Sequence, residues 1–120
     1  MRIILTILMM LTGCAIRDPI VSFPGEPLPI IILEGWKRAQ KELLKLNPPL
    51  RSDPRLVLPY WITWIEQTKI HRCYDIEKVE GCFSIDGVIQ YRAKLWIIIH
   101  ESKHAIAFAA GDPRWRDIGH

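Results

Sequence analysis

Leu95-Trp96-Ile97-Ile98-Ile99-His100-Glu101-Ser102-Lys103-His104-Ala105-Ile106-Ala107-Phe108-Ala109-Ala110 is an apolar stretch broken by one polar cluster. From Arg92 to Ala110 there is neither Pro nor Gly, and Gly111 follows as a C-cap residue. The segment therefore reads as one buried helix. Residues four apart on a helix lie one above the other, so His100 and His104 point the same way. They are spaced to bind one Zn²⁺ from a single face. Glu101 lies about 100° further round, close enough to reach a water at that metal without being a ligand. A water-activating hydrolase needs this arrangement. On an ideal wheel Ala93, Ala107 and Gly111 fall near the histidines and leave room for a metal and a substrate. Leu95, Ile98, Ile106 and Ala109 fall opposite and suit a core. The plainer reading is a buried helix with two structural histidines, which must then find other partners for two imidazoles and a carboxylate that are costly to bury alone.

At His100-Glu101-Ser102-Lys103-His104 the chain resembles the zincin metallopeptidases. The resemblance covers the helix Arg92–Ala110 and, at most, the tail after it. It implies His100 and His104 as zinc ligands and Glu101 as general base. It also implies a small zincin-like α+β domain and a peptide or protein substrate. One departure is Lys103, because the family usually has uncharged residues between the Glu and the second His. The wheel puts Lys103 beside Arg92 on an edge away from the metal side.

A catalytic zinc takes three protein ligands and keeps one position open. The metzincin pattern would place a third His at Ala110, so that pattern fails. Gly111 and Pro113 end the helix and let the chain turn back. Three tail residues can then supply the ligand. His120 is favoured because imidazole suits zinc and some H-E-x-x-H families use a His well downstream of the helix. Asp117 and Asp112 are the alternatives, with Asp112 also suited to a turn before Pro113. Arg114, Arg116 and Tyr91 are available to stabilise an oxyanion, and the sequence does not choose among them.

Upstream, Arg2 precedes the apolar run Ile3 to Leu11, which is too short to span a bilayer. Leu11-Thr12-Gly13-Cys14 resembles a bacterial lipobox. The resemblance implies a signal peptide over 1–13, cleavage before Cys14, and acyl chains on the Cys14 thiol and new amino group. Several chains anchor durably where one does not. Ala15 stands where a retention signal would carry Asp. The implied place is the cell envelope, lipid-anchored to the outer membrane and facing the periplasm. Removing Cys14 leaves Cys73 and Cys82, an even pair in an exported chain, and so an expected disulfide. A metal site of Cys73 with His71 is the alternative. The net charge of +3 is mixed in sign, with no Lys/Arg block, and nothing points to nucleic acid.

Residues 14–30, with Pro19, Pro24, Pro27 and Pro29, read as an extended tether or as a strand of chain wrapped on the domain. Residues 31–120 form the domain. Ile31 to Leu46 has helical spacing and is ended by Asn47-Pro48-Pro49, which predicts a packing helix. Tyr60 to Cys73 is rich in aromatic and β-branched residues and predicts a strand. Asp86-Gly87 between Cys82–Ile85 and Val88–Tyr91 predicts a hairpin with a type I′ turn. Trp36, Trp61, Trp64 and Trp96 are expected to fill the core, and Trp115 to wall the site. The expected fold is α+β, with a packing helix, a short antiparallel sheet and a buried metal-binding helix. The expected function is a membrane-anchored zinc peptidase acting on a peptide, a protein or a cell-wall peptide. Two other expectations stand beside it. One is an envelope lipoprotein that binds metal or a partner without turnover. The other is a small phage or prophage lipoprotein with a role in lysis.

Overall fold

The computed structural model describes residues 19–120 apart from 71, 75 and 78. The signal-peptide and Cys14 lipidation expectations, and the His71 alternative, lie outside the described residues. The described elements run β1 (Ile20–Ser22), α1 (Ile30–Leu43), β2 (Thr63–Glu66), β3 (Arg72–Cys73), β4 (Ile76–Glu77), β5 (Gly81–Ser84), β6 (Val88–Tyr91) and α2 (Leu95–Ala109). Two 3₁₀ turns, Pro54–Leu56 and Pro59–Trp61, lie between α1 and β2.

The main sheet has the order β1-β2-β6-β5, and β3 and β4 form a separate two-stranded piece. β1–β2 and β5–β6 are antiparallel, whereas the central pair β2–β6 is parallel. The sheet is thus mixed, not antiparallel as expected. The β5–β6 hairpin docks through β6, and residue alternation carries no information about the direction in which a neighbouring strand runs. β1 lies within the Pro-rich segment, so Ile20–Ser22 joins the sheet as an edge strand.

Local chemistry explains other departures. The strand expected over Tyr60–Cys73 is confined to Thr63–Glu66 and the two residues of β3. Pro59 starts a 3₁₀ turn that ends at Trp61, its fixed φ matching a helical first position. The β5–β6 turn is not type I′. The Gly87 N–H donates to the Ser84 carbonyl at 2.9 Å, and Gly87 has φ 88° while no other residue of that turn is left-handed. This is a three-residue loop closed by a left-handed glycine.

α1 and α2 pack together above the sheet. Ile32, Trp36, Ala39 and Leu43 recur at helical spacing on the buried face of α1. Gly35 makes the helix crossing close: a β-carbon there would lie 2.5 Å from Ile98 Cγ2. The core joins these residues to Ile62, Trp64, Phe83, Ile89 and Tyr91 from the sheet side and to Ile97, Ile98 and Ile106 of α2. Trp36 and Trp64 meet edge to face, as do Trp64 and Tyr91. The Trp36 indole N–H donates to the Val57 carbonyl at 2.8 Å and that of Trp64 to the Pro59 carbonyl at 3.2 Å. Trp61 and Trp96 do not fill the core; they are 37% and 59% exposed.

Cys73 and Cys82 form the expected disulfide, tying β3 to β5. The result is a small compact α+β domain. Among the described residues no helix is long and apolar enough to cross a membrane.

Candidate metal centre

α2 begins at Leu95, three residues later than Arg92. The Arg92 N–H donates to the Glu80 carbonyl at 3.2 Å and the Lys94 N–H to the Arg92 carbonyl at 2.7 Å, so this stretch is a turn leaving β6. Ala93 is exposed there and does not flank the histidines. Ala107 is fully buried in the core. On the histidine side, Trp96 and Ile97 line the cleft instead. Of the four residues expected to face the core, Ile98 and Ile106 are fully buried, Leu95 is half-buried and Ala109 is exposed.

The helix ends as Gly111 requires. Gly111 has φ 73°. Its N–H donates to the Phe108 carbonyl and the Asp112 N–H to the Ala107 carbonyl, at 2.9 and 3.0 Å. This paired closure reverses the chain. Asp112 then organises the tail. Its carboxylate accepts from the Arg114 backbone N–H at 2.8 Å and from the Arg114 guanidinium at 3.0 and 2.8 Å. Those bonds hold the Asp112 carboxyl down to about 2. Successive turns follow to His120, whose N–H donates to the Asp117 carbonyl at 3.1 Å. Ile118 is buried and pins the tail to the core. Gly119, at φ 92°, passes so close to His100 that a β-carbon would lie 3.2 Å from its Nδ1.

His120 is thereby carried back over α2. One ligand nitrogen from each of His100, His104 and His120 lies within 4.8 Å of the others. Among the described residues, Asp112 and Asp117 are not part of this group. His104 Nδ1 sits 2.6 Å from the Trp115 carbonyl. A carbonyl only accepts, so Nδ1 carries the proton and the Nε2 lone pair of the neutral ring is left for a ligand role. His104 Nε2 lies 3.1 Å from His100 Nε2. Two nitrogens on one tetrahedral zinc stand about 3.3 Å apart, from Zn–N distances of about 2.0–2.1 Å. The His100–His104 pair has the spacing of two ligands on one such ion, and His120 brings the imidazole donors to three.

Electrostatics agree. Burial, then the imidazoles of His104 and His120 and the Lys103 ammonium, pull His100 down to about 4. His104 is lowered as well, by burial first, against the raising effect of its bond to the Trp115 carbonyl. Both rings are neutral at pH 7, the form that binds metal. Lys103 reaches across to α1, where its ammonium pairs with Glu42 at 2.9 Å.

Glu101 is buried, 6% exposed, and lies against β5. Burial raises its carboxyl to about 7, opposed by the Phe83 backbone N–H, which favours the ionised form. A cation held by the three imidazoles would pull it back toward ionisation. Gly81 makes room for it. A β-carbon at Gly81 would lie 2.8 Å from Glu101 Cγ and 2.9 Å from Glu101 Oε2. The sequence reading missed Gly81; the available signal was a glycine opening a strand, which often marks a close approach.

His100, Glu101, His104 and His120 share a cleft of about 730 Å³, walled by Trp115 as expected. Trp115 meets Phe83 edge to face at 5.8 Å and Phe108 at 5.4 Å. Of the three oxyanion candidates, Arg116 lines this cleft. Arg114 is bound to Asp112, and Tyr91 is buried in the core. The arrangement can hold a metal ion beside the buried carboxyl of Glu101. Compared with known proteins, the chain matches no protein-family model, no curated protein and no solved structure.

Proposed function

We propose that this protein is a zincin-like, zinc-dependent hydrolase, and most specifically a peptidase. One observation carries the reading: three imidazoles converge within 4.8 Å of one another on a cleft shared with the buried carboxyl of Glu101. His100, His104 and His120 hold the ion, and Trp115 fixes the His104 ring through its carbonyl. When bound, zinc acidifies a water and polarises a carbonyl. Glu101 accepts the proton from the attacking water and delivers it to the leaving amine. The apolar walls around Glu101, Phe83, Ile97 and Trp115, limit the water that competes for that proton.

Glu101→Gln tests the role of the carboxyl. The variant is expected to keep its zinc and to lose roughly 10²–10⁴-fold in peptide hydrolysis. Zinc-loaded wild-type protein without chelator-sensitive hydrolysis, or a Gln variant of equal activity, would sink the enzyme reading and favour a lipoprotein that binds metal or a partner without turnover.

The same proposal places the protein on a membrane of the cell envelope, held by acyl chains on Cys14 and facing the periplasm. Support comes from the lipobox-like Leu11-Thr12-Gly13-Cys14 and from the Cys73–Cys82 disulfide, which belongs to an oxidising compartment. Peptides, proteins and cell-wall peptides are then the accessible substrates. Mass spectrometry of the mature protein should find an acylated Cys14 at its N-terminus; an unprocessed Met1 would contradict the anchoring.

A further inference from the structure

We propose that Arg116 is a specificity-determining residue that selects substrates bearing a carboxylate beside the scissile bond, either an acidic side chain or a terminal carboxylate. The inference rests on the hydrolase reading above and names its substrate class.

Among the described residues lining the cleft, Arg116 is the one Lys or Arg. Its guanidinium carbon lies 5.4 Å from the centroid of the Tyr74 ring and 5.0 Å from that of the Trp115 ring. Ring faces attract a guanidinium but do not satisfy its N–H groups. Among the described residues no hydrogen bond or ion pair engages the Arg116 guanidinium, and a planar guanidinium on ring faces presents its N–H edge to a bidentate acceptor such as a carboxylate.

Both rings are held in place. Tyr74 follows Cys73, which is bonded to Cys82 on β5, and its hydroxyl accepts from the Ile85 N–H at 3.1 Å. Trp115 packs on Phe83 and Phe108, and its carbonyl binds the His104 ring at 2.6 Å. Arg116 is therefore the next residue after one that touches a metal-site imidazole. Arg116 itself is exposed, and its stacking on these two rings is what orients it and lowers the entropy lost when a ligand is held. The aromatic cage also explains why Lys would serve poorly there, since an ammonium is a point charge without a fork.

The test uses the zinc-loaded protein and a neutral, C-terminally amidated peptide that it cleaves. Gln is replaced by Glu at each position flanking the cut, and in a separate arm the amide is replaced by the free acid. Wild-type protein should prefer one acidic form roughly ten- to hundredfold in kcat/KM, mostly through KM. The arm that shows the preference identifies a side-chain or a terminal carboxylate. Arg116→Ala should bring the acidic-to-neutral ratio near one, with zinc content unchanged. Arg116→Lys should keep part of the ratio, and Arg116→Glu should favour Lys at the same position. Equal rates for acidic and neutral peptides in the wild type, or an undiminished ratio in Arg116→Ala, would overturn this inference while leaving the hydrolase reading intact. No hydrolysis by the zinc-loaded wild type would overturn both.

Discussion

Glu101 and Gly81 show how one missing side chain makes room for another. A carboxyl buried against β5 needs the β5 backbone close by, and that closeness leaves no space for a β-carbon at Gly81. Gly81→Ala should therefore cost about 1–3 kcal/mol through overpacking. It should also reduce peptide hydrolysis more than zinc content, because the intruding methyl meets Glu101 and not an imidazole. Thermal unfolding and kcat/KM on the same preparation check both parts; an unchanged kcat/KM would contradict the placement of Glu101 against Gly81. His100, Glu101 and His104 were legible in the sequence because helical spacing fixes their mutual placement whatever the rest of the chain does. His120 was legible only as a residue type, and its arrival at the site depends on the Schellman closure at Gly111, the Asp112–Arg114 clasp and the anchor at Ile118. Gly81 and the Tyr74 face of the Arg116 cage come from elements distant in sequence, and no spacing rule reaches them.

At the scale of elements, the helices were easier to foresee than the sheet. α1 and α2 carry a 3.6-residue pattern and end at Pro- or Gly-containing breaks, so their existence follows from local chemistry. β2 was over-extended because aromatic and β-branched residues continue on both sides of it, while Pro59 converts the preceding residues to a 3₁₀ turn. The parallel β2–β6 pairing is a long-range contact with no local signal. β6 sits at the middle of the sheet, and its Tyr91 is buried there at 2% exposure. Burial, with the nearby Glu66 charge, pushes the Tyr91 phenol up from 10.0 to about 12. Above pH 10 the unfolded chain loses this proton while the folded one retains it. The folded state then binds more protons, so stability falls as pH rises from about 10 to 12. The total loss through this group is roughly 2–3 kcal/mol. Wild type and Tyr91→Phe, compared by urea unfolding at pH 9 and pH 12, should show a stability difference that shifts by about that amount against the wild type. A pH-independent difference would mean that Tyr91 is not held neutral by the core.

The whole molecule is a small core with one chemically unusual corner. Two helices cover a mixed sheet and a disulfide ties the outer hairpin to the edge strand. The tail turns back so that its last imidazole meets two from α2. Two buried groups in that corner, the His104 imidazole and the Glu101 carboxyl, are costly to keep without a partner, with His100 half-buried and His120 exposed beside them. A metal ion at the three imidazoles would remove that cost by occupying the lone pairs and by stabilising the ionised carboxylate. The decisive measurement is the zinc content of the purified protein, by elemental analysis after dialysis, beside His100→Ala, His104→Ala and His120→Ala. About one zinc per wild-type chain, lost or sharply reduced in each of the three variants, is the predicted result. A wild-type protein that holds no zinc after loading, or a His120→Ala variant that binds it as tightly as the wild type, would contradict the three-imidazole centre.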